Sequence, residues 1–212
     1  MHKTKIDWPG LDYTWNPQVG CSRGCSYCVV RQRVWPRIRH LYGNNDYDKV
    51  TFLPDQLSKP KEIKKSSKFF VDFYSDIEYS KRENLQKTID VCLECEQHTF
   101  MFLSKNTTSY YGFYWPANVM CGLTITGCQP GKDFTDVVLH KTKHRPFLSI
   151  EPLLGIIPQT DYSCFELVIV GAMTGKNAIV PQQDWIQSIK DNIPAEKIYW
   201  KKNIRGYLNE KT

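Results

Sequence analysis

No apolar run in this sequence approaches membrane-spanning length; the longest candidate lies around Leu167–Met173, where a spanning helix needs roughly 20 such residues. The first residues, Met1-His2-Lys3-Thr4-Lys5-Ile6-Asp7-Trp8, lack the apolar stretch of a secretory signal. No repeat of fixed period appears beyond an alternation of strand-like and helix-like segments, and no low-complexity linker divides the chain. His40, His98, His140 and His144 have no metal-ligand spacing with one another or with the cysteines. These absences argue against a helical membrane protein and a repeat array. They lead to the expectation of a cytoplasmic chain in a reducing compartment. There, eight cysteines serve metal binding or catalysis rather than disulfides.

The 212 residues fit one domain, 1–212, with a surface excursion at about 41–67 that shows no periodicity. Hydrophobic residues make up 41% and charged residues 24%, enough to bury a core. The net charge of +6 is unevenly placed. Lys59, Lys61, Lys64, Lys65 and Lys68 crowd one stretch; Lys197, Lys201, Lys202 and Arg205 crowd another. Such runs are either solvated faces or attractors of phosphate.

One stretch concentrates the chemistry. In Thr14-Trp15-Asn16-Pro17-Gln18-Val19-Gly20-Cys21-Ser22-Arg23-Gly24-Cys25-Ser26-Tyr27-Cys28, three cysteines fall within eight residues as C-x3-C-x2-C. Gly20 and Gly24 let the loop turn tightly. Thiolates at this density suit soft metals, iron–sulfur clusters above all. Three thiolates on a [4Fe-4S] cubane would leave one iron open. Two other readings stand beside this one: a zinc site, which needs a fourth ligand such as Cys121, Cys128 or Cys164 brought from afar, and ordinary buried thiols. Arg31, Arg33, Arg37 and Arg39 follow directly, as the solvated side of a helix over Val29–His40 or as contacts for an anion. Pro36 can kink or end that helix.

The rest of the chain becomes regular. Segments 1–12 read as irregular, and Tyr13–Asn16 as a first strand. Further strands are expected at Phe69–Phe73, Thr99–Leu103, Val119–Ile125, Pro146–Ile150, Leu167–Val170 and Ile198–Trp200, with helices at Lys81–Gln97, Asp133–Thr142 and Trp185–Asn192. Strand and helix alternating at this spacing imply parallel βαβ units. Six or seven such strands can curve into an incomplete (β/α) TIM-type barrel, since a full one needs about 250 residues.

Ligands of parallel α/β proteins meet the C-terminal ends of strands. Ser75, Asp76, Lys105, Thr124, Thr126, Glu151 and Lys201 fall there. Glu151 stands out, because Phe147-Leu148-Ser149-Ile150 runs a buried strand straight into it and Pro152 stops the strand. Glu151 and Lys105 are therefore the catalytic candidates. Cys92 and Cys95, on one helix face, read as buried thiols, with ligands of a second cluster as the alternative; Cys121 sits in a strand and Cys128 in the loop beyond it, and either can face the core or the cavity.

The C-x3-C-x-aromatic-C pattern of Cys21, Cys25, Tyr27 and Cys28 resembles the radical SAM superfamily. With Trp15-Asn16-Pro17, Ser75-Asp76, Leu103-Ser104-Lys105, Ser149-Ile150-Glu151-Pro152-Leu153-Leu154 and Val168-Ile169-Val170-Gly171, the chain resembles a phage- and prophage-associated family of short radical SAM-like proteins without a settled function. The resemblance runs through most of residues 5–205. It implies an incomplete barrel, a [4Fe-4S] cluster on Cys21, Cys25 and Cys28, and S-adenosylmethionine held near Tyr27, Ser75, Asp76, Thr124, Thr126, Glu151 and Gly171. The superfamily's Gly-Gly-Glu after the second strand is missing, and Ser75-Asp76 takes its place. The expected activity is reductive cleavage of S-adenosylmethionine and hydrogen abstraction from an unidentified substrate, a nucleotide or nucleic acid among the candidates. A flavodoxin- or ferredoxin-type protein would supply the electron. The alternative is a non-catalytic iron–sulfur or zinc-containing nucleic-acid-binding or regulatory protein.

Overall fold

The computed structural model describes residues 1–127, 130–141, 143–175 and 177–208. Two compact units divide the chain, one from Met1–Lys5, Leu11–Leu103 and Tyr111–Val119, the other from Ile6–Gly10, Ser104–Tyr110 and Met120 onward.

The first unit carries β1 (His2–Lys3), β2 (Tyr13–Trp15), β3 (Gln18–Val19), α1 (Trp35–Ile38), β4 (Thr51–Phe52), β5 (Lys68–Val71), α2 (Arg82–Glu94) and β6 (Thr99–Ser104). Its sheet has the order β1-β2-β5-β6. β1 pairs antiparallel with β2, while Tyr13 pairs with Phe69, and Phe69 with Phe100, in parallel register. β5 and β6 are almost continuously apolar. Phe69, Phe70, Val71, Phe100, Met101 and Phe102 are all buried, as expected where both faces of a parallel sheet are covered. Phe69 stacks on Phe100 with ring centroids 5.2 Å apart. α2 buries Leu85, Ile89 and Cys92 at helical spacing.

The second unit carries β7 (Val119–Ile125), α3 (Pro130–His140), β8 (Pro146–Ile150), β9 (Leu167–Val170), α4 (Gln183–Asn192), β10 (Ile198–Trp200) and α5 (Lys202–Arg205). Its strands run in the order β7-β8-β9-β10, all parallel, with Leu123 opposite Leu148, Leu148 opposite Val168, and Val168 opposite Ile198. Leu123, Ile125, Leu148, Ile150, Val168 and Val170 pack with Ile186 and Ile189 of α4 in one core.

Mixed α/β architecture with mostly parallel strands is therefore established. The strands of the two main sheet segments number eight rather than six or seven, and no closure into a barrel is found among the described residues. The N-terminal segment, expected to be irregular, forms β1, because an edge strand needs only backbone pairing. The helix after the cysteines runs through Pro36: a π-helical turn (Val30–Val34) leads into α1, with Pro36 in its first turn, and a 3₁₀ turn (Arg39–Tyr42) ends it. In a first turn the missing N–H of proline costs little. The stretch 41–67 is less peripheral than expected. Tyr47 and Pro60 are buried, and β4 pairs with β3, Thr51 opposite Val19. No helix among the described residues is long and apolar enough to cross a membrane.

Candidate functional site

The cysteine loop leaves β3 at Gly20 and is tied down largely by backbone atoms. Gly20 N–H donates to the Tyr74 carbonyl at 2.9 Å, and the Ser75 hydroxyl donates to the Gly20 carbonyl at 2.5 Å. Gly20 has φ of +92°, and a Cβ there would sit 2.3 Å from the Lys49 carbonyl oxygen. Only glycine fits. Cys21 N–H donates to the Tyr47 carbonyl at 2.7 Å. Arg31 donates to the Cys21 carbonyl at 2.6 Å and forks onto the Asp48 carboxylate at 2.8 and 3.0 Å. Arg23 pairs with Glu78 and approaches Asp76 at 3.8 Å.

The three thiols are half-buried and free. Cys28 N–H donates to the Cys25 carbonyl at 3.1 Å, so Cys25–Cys28 is a closed turn. Cys28 Sγ accepts the Arg31 N–H at 3.4 Å, and the buried Tyr47 lies near it. Burial raises the Tyr47 hydroxyl's pKa, and the nearby Cys28 and Cys21 add to this, so Tyr47 remains a donor. Burial also pushes Cys21 up to about 11, with the Asp76, Cys28 and Cys25 charges adding. Cys21 is accordingly a neutral thiol at ordinary pH.

This arrangement overturns the metal expectation. No group of three or more His, Cys, Asp or Glu side chains among the described residues is placed to hold a metal ion. The physical reason lies in how the loop is satisfied. Burial and the nearby Asp76 charge disfavour the Cys21 thiolate, and Asp76 itself caps the Ile77–Tyr79 turn. Cys21, Cys25 and Cys28 thus do not present the thiolate set that a [4Fe-4S] cluster or zinc requires. The radical SAM activity, its S-adenosylmethionine cofactor and the iron- or zinc-containing alternative fall with that ligand set.

The residues expected to hold the cofactor have structural partners. Ser75 accepts the Gln18 side-chain amide at 2.8 Å while holding Gly20. Asp76 is buried and caps the 3₁₀ turn Ile77–Tyr79 by accepting the Glu78 N–H at 3.0 Å. Tyr27 is half-buried on the loop. Beside them lies Asp72, which sequence reasoning missed. It is buried, has φ of +55°, and accepts the Gln18 N–H at 2.9 Å. Burial pushes its carboxyl up to about 8, with the Asp76 charge adding. Tyr47 and Asp48 were missed as well, since nothing periodic marks the stretch 41–67.

In the second unit, Glu151 is fully engaged. It forms an ion pair with Lys201, and its other oxygen accepts the Trp8 indole N–H at 2.9 Å and the Ser149 hydroxyl at 3.2 Å. Gly171 leaves room for this pair; a Cβ there would meet Glu151 Oε1 at 2.8 Å. Asp7 completes the cluster by accepting from the Tyr199 hydroxyl at 2.8 Å and from the Lys202 N–H. Thr124 is half-buried in β7, and the buried Thr126 lends its carbonyl to Leu154 N–H at 2.8 Å. Lys105 is half-buried and lies close enough to Asp133 to lower its pKa, although burial, the larger effect, raises it.

Of the lysine run, Lys59 pairs with Glu62 at 3.1 Å and Lys61 with Glu94. Cys92 and Cys95 are buried. Cys121 is buried too, which raises its pKa. Cys128 lies outside the described residues. No curated protein and no solved structure matches the chain. A family profile does match, over residues 3–211; the chain belongs to that family, a group of proteins of unknown function designated DUF5131.

Proposed function

We propose that the cysteine loop is a thiol–disulfide exchange site, with Cys28 as the attacking sulfur and Cys25 as the resolving one. The observation that carries this is the environment of Cys28 Sγ: it is half-buried, accepts the Arg31 N–H at 3.4 Å and lies near the buried Tyr47. A backbone N–H aimed at the sulfur fixes its position for attack, and the thiolate is the form that reacts. The Cys25–Cys28 turn supports the second half of the cycle. A turn closed from residue i to i+3 spans less than about 7 Å between Cα atoms, within the range a disulfide bridges.

The Cys28 thiolate attacks one sulfur of a disulfide partner. A Cys28–partner mixed disulfide forms, and the first partner thiolate leaves and takes up a proton. Cys25, after losing its proton to solvent, attacks Cys28 Sγ. The Cys25–Cys28 disulfide forms, and the second partner thiol leaves. Two electrons pass from the dithiol to the partner disulfide, and an external dithiol reverses the step. Cys21 stays protonated and outside the exchange. A reducing compartment belongs to this proposal, with the external dithiol in the place of a flavodoxin- or ferredoxin-type donor. Phosphate binding by Lys59–Lys68 has weaker support, since Lys59 and Lys61 are already paired with carboxylates.

The test is equilibration of the reduced protein in dithiothreitol redox buffers, then alkylation and peptide mass spectrometry. A Cys25–Cys28 disulfide should form reversibly at one potential. Cys28→Ser should abolish mixed-disulfide formation, and Cys25→Ser should trap it. Oxidation spread equally over Cys25, Cys28 and Cys164 would overturn the proposal.

A further inference from the structure

We infer that the disulfide partner is a small molecule carrying carboxylates. This deepens the thiol-exchange proposal and rests on it. Arg33, Arg37 and Arg39 follow the reactive turn on one helical run, and all three are exposed. None of them forms an ion pair among the described residues. Arg31 differs, since its charge is taken up by Asp48. From Val29 to Lys49 the chain carries five cations, Arg31, Arg33, Arg37, Arg39 and Lys49, against two carboxylates, Asp46 and Asp48. The uncompensated charge in this stretch is positive.

Distance decides whether that charge matters at the sulfur. The helical run begins at Cys28, whose carbonyl accepts the Gln32 N–H at 3.0 Å. At about 1.5 Å per residue, Arg33 lies about 8 Å along the axis and Arg37 about 14 Å. Both fall within about one to two Debye lengths at ordinary salt. Their field therefore reaches an incoming ligand before contact and weakens as salt rises. The half-buried state of Cys25 and Cys28 favours a small disulfide over a bulky one. A carboxylate on the ligand gives the arginines a planar, bidentate partner.

The experiment measures stopped-flow oxidation of the reduced full-length protein by three probes: glutathione disulfide, neutral hydroxyethyl disulfide and cationic cystamine. Each rate is taken at low and high salt, for the wild type and for a variant carrying Arg33→Gln, Arg37→Gln and Arg39→Gln. In the wild type, the glutathione disulfide rate should fall about tenfold from low to high salt while the cystamine rate rises. The triple variant should lose most of that salt dependence and leave the hydroxyethyl disulfide rate unchanged. Rates independent of salt, or equal loss with all three probes in the variant, would overturn the inference while leaving thiol exchange standing. No oxidation by any probe would overturn both.

Discussion

The Glu151 cluster follows a parallel strand in one unit and the cysteine loop follows β3, whose partner is antiparallel, in the other, and the two are held by different atoms. At Glu151 the functional atoms themselves are the ties: one carboxylate oxygen meets Lys201, and the other meets Trp8 and Ser149. In the cysteine loop the ties at Gly20 and Cys21 are made largely by backbone groups, and the three thiols are half-buried and outside any disulfide, with one backbone N–H on Cys28 Sγ. A side chain whose lone pairs are already satisfied stabilises; one whose backbone is anchored while its reactive atom stays accessible is available for chemistry. Glu151, the sequence's strongest catalytic candidate, has both carboxylate oxygens occupied, one by Lys201 and the other by Trp8 and Ser149.

The largest expected effect is on the loop's anchor. Gly20→Ala combines a positive φ with a Cβ 2.3 Å from a backbone carbonyl, and should cost roughly 3 to 5 kcal/mol. Urea unfolding followed by tryptophan fluorescence measures it. A loss below 1 kcal/mol would mean that the loop shifts readily, which would remove the contrast of a fixed backbone and an available sulfur.

Glu151→Ala should cost less, about 2 to 3 kcal/mol. The side chains of Glu151 and Lys201 are 19% and 17% exposed, so the pair is screened less than a surface one, and its loss strands Lys201. The double change Glu151→Leu with Lys201→Met should recover most of that loss, since no charge is left behind. If the double variant is no better than Glu151→Ala, the carboxylate acts through something other than this pair.

How far these features could be read in the sequence follows from their physics. Strands β7 to β10 match the sequence reading closely because buried parallel strands are continuous apolar runs bounded by breakers. Glu151 and Lys201 were both visible as strand-end charges, but only their separation in space, absent from a linear pattern, shows that they neutralise each other. The cysteines were legible as a cluster, while their use was not: Tyr47 lies in an aperiodic stretch and reaches Cys28 through a fold the sequence pattern does not encode. Asp72 was overlooked because it reads as one polar residue interrupting Phe69–Phe73. That interruption is where β5 ends and the chain turns at positive φ.

Two buried groups, one in each unit, also differ in the sign of their pH dependence. In the second, burial lowers the His140 pKa to about 4; its Nδ1 pairs with the Thr107 hydroxyl and its Nε2 with the Cys121 carbonyl, each at 2.9 Å. The unfolded chain binds the proton more readily, near pH 6.5. Stability from His140 is therefore complete above about 6.5 and is lost as pH falls toward 4. In the first unit Asp72 titrates at about 8 against about 3.9 when unfolded. The folded state holds that proton longer, so stability falls as pH rises from about 4 to 8. The slopes oppose one another between about pH 4 and 6.5, and from 6.5 to 8 the Asp72 slope, up to about 1.4 kcal/mol per pH unit, continues without that of His140. Asp72→Asn should flatten the decline above pH 6.5, and His140→Gln should expose a decline with rising pH below it. Unfolding free energies measured from pH 4 to 8 decide this; a wild-type profile that rises from 6.5 to 8 would mean that Asp72 is ionised in the fold.

The smallest expected effect is that of metal. Among the described residues no three donors are placed around a common point. Anaerobic incubation with ferrous iron and sulfide, or with zinc, followed by gel filtration and elemental analysis, should therefore leave well under one metal per chain. Chelator treatment should not move the unfolding midpoint. Cys21→Ser should be as silent in this assay as Cys164→Ser, because neither thiol serves a shared ion. Retention of stoichiometric metal, lost in Cys21→Ser, Cys25→Ser and Cys28→Ser but kept in Cys164→Ser, would show that the loop rearranges to gather its thiols. Cys28 would then be a ligand rather than a nucleophile, and the contrast between a satisfied carboxylate and an available sulfur would no longer hold.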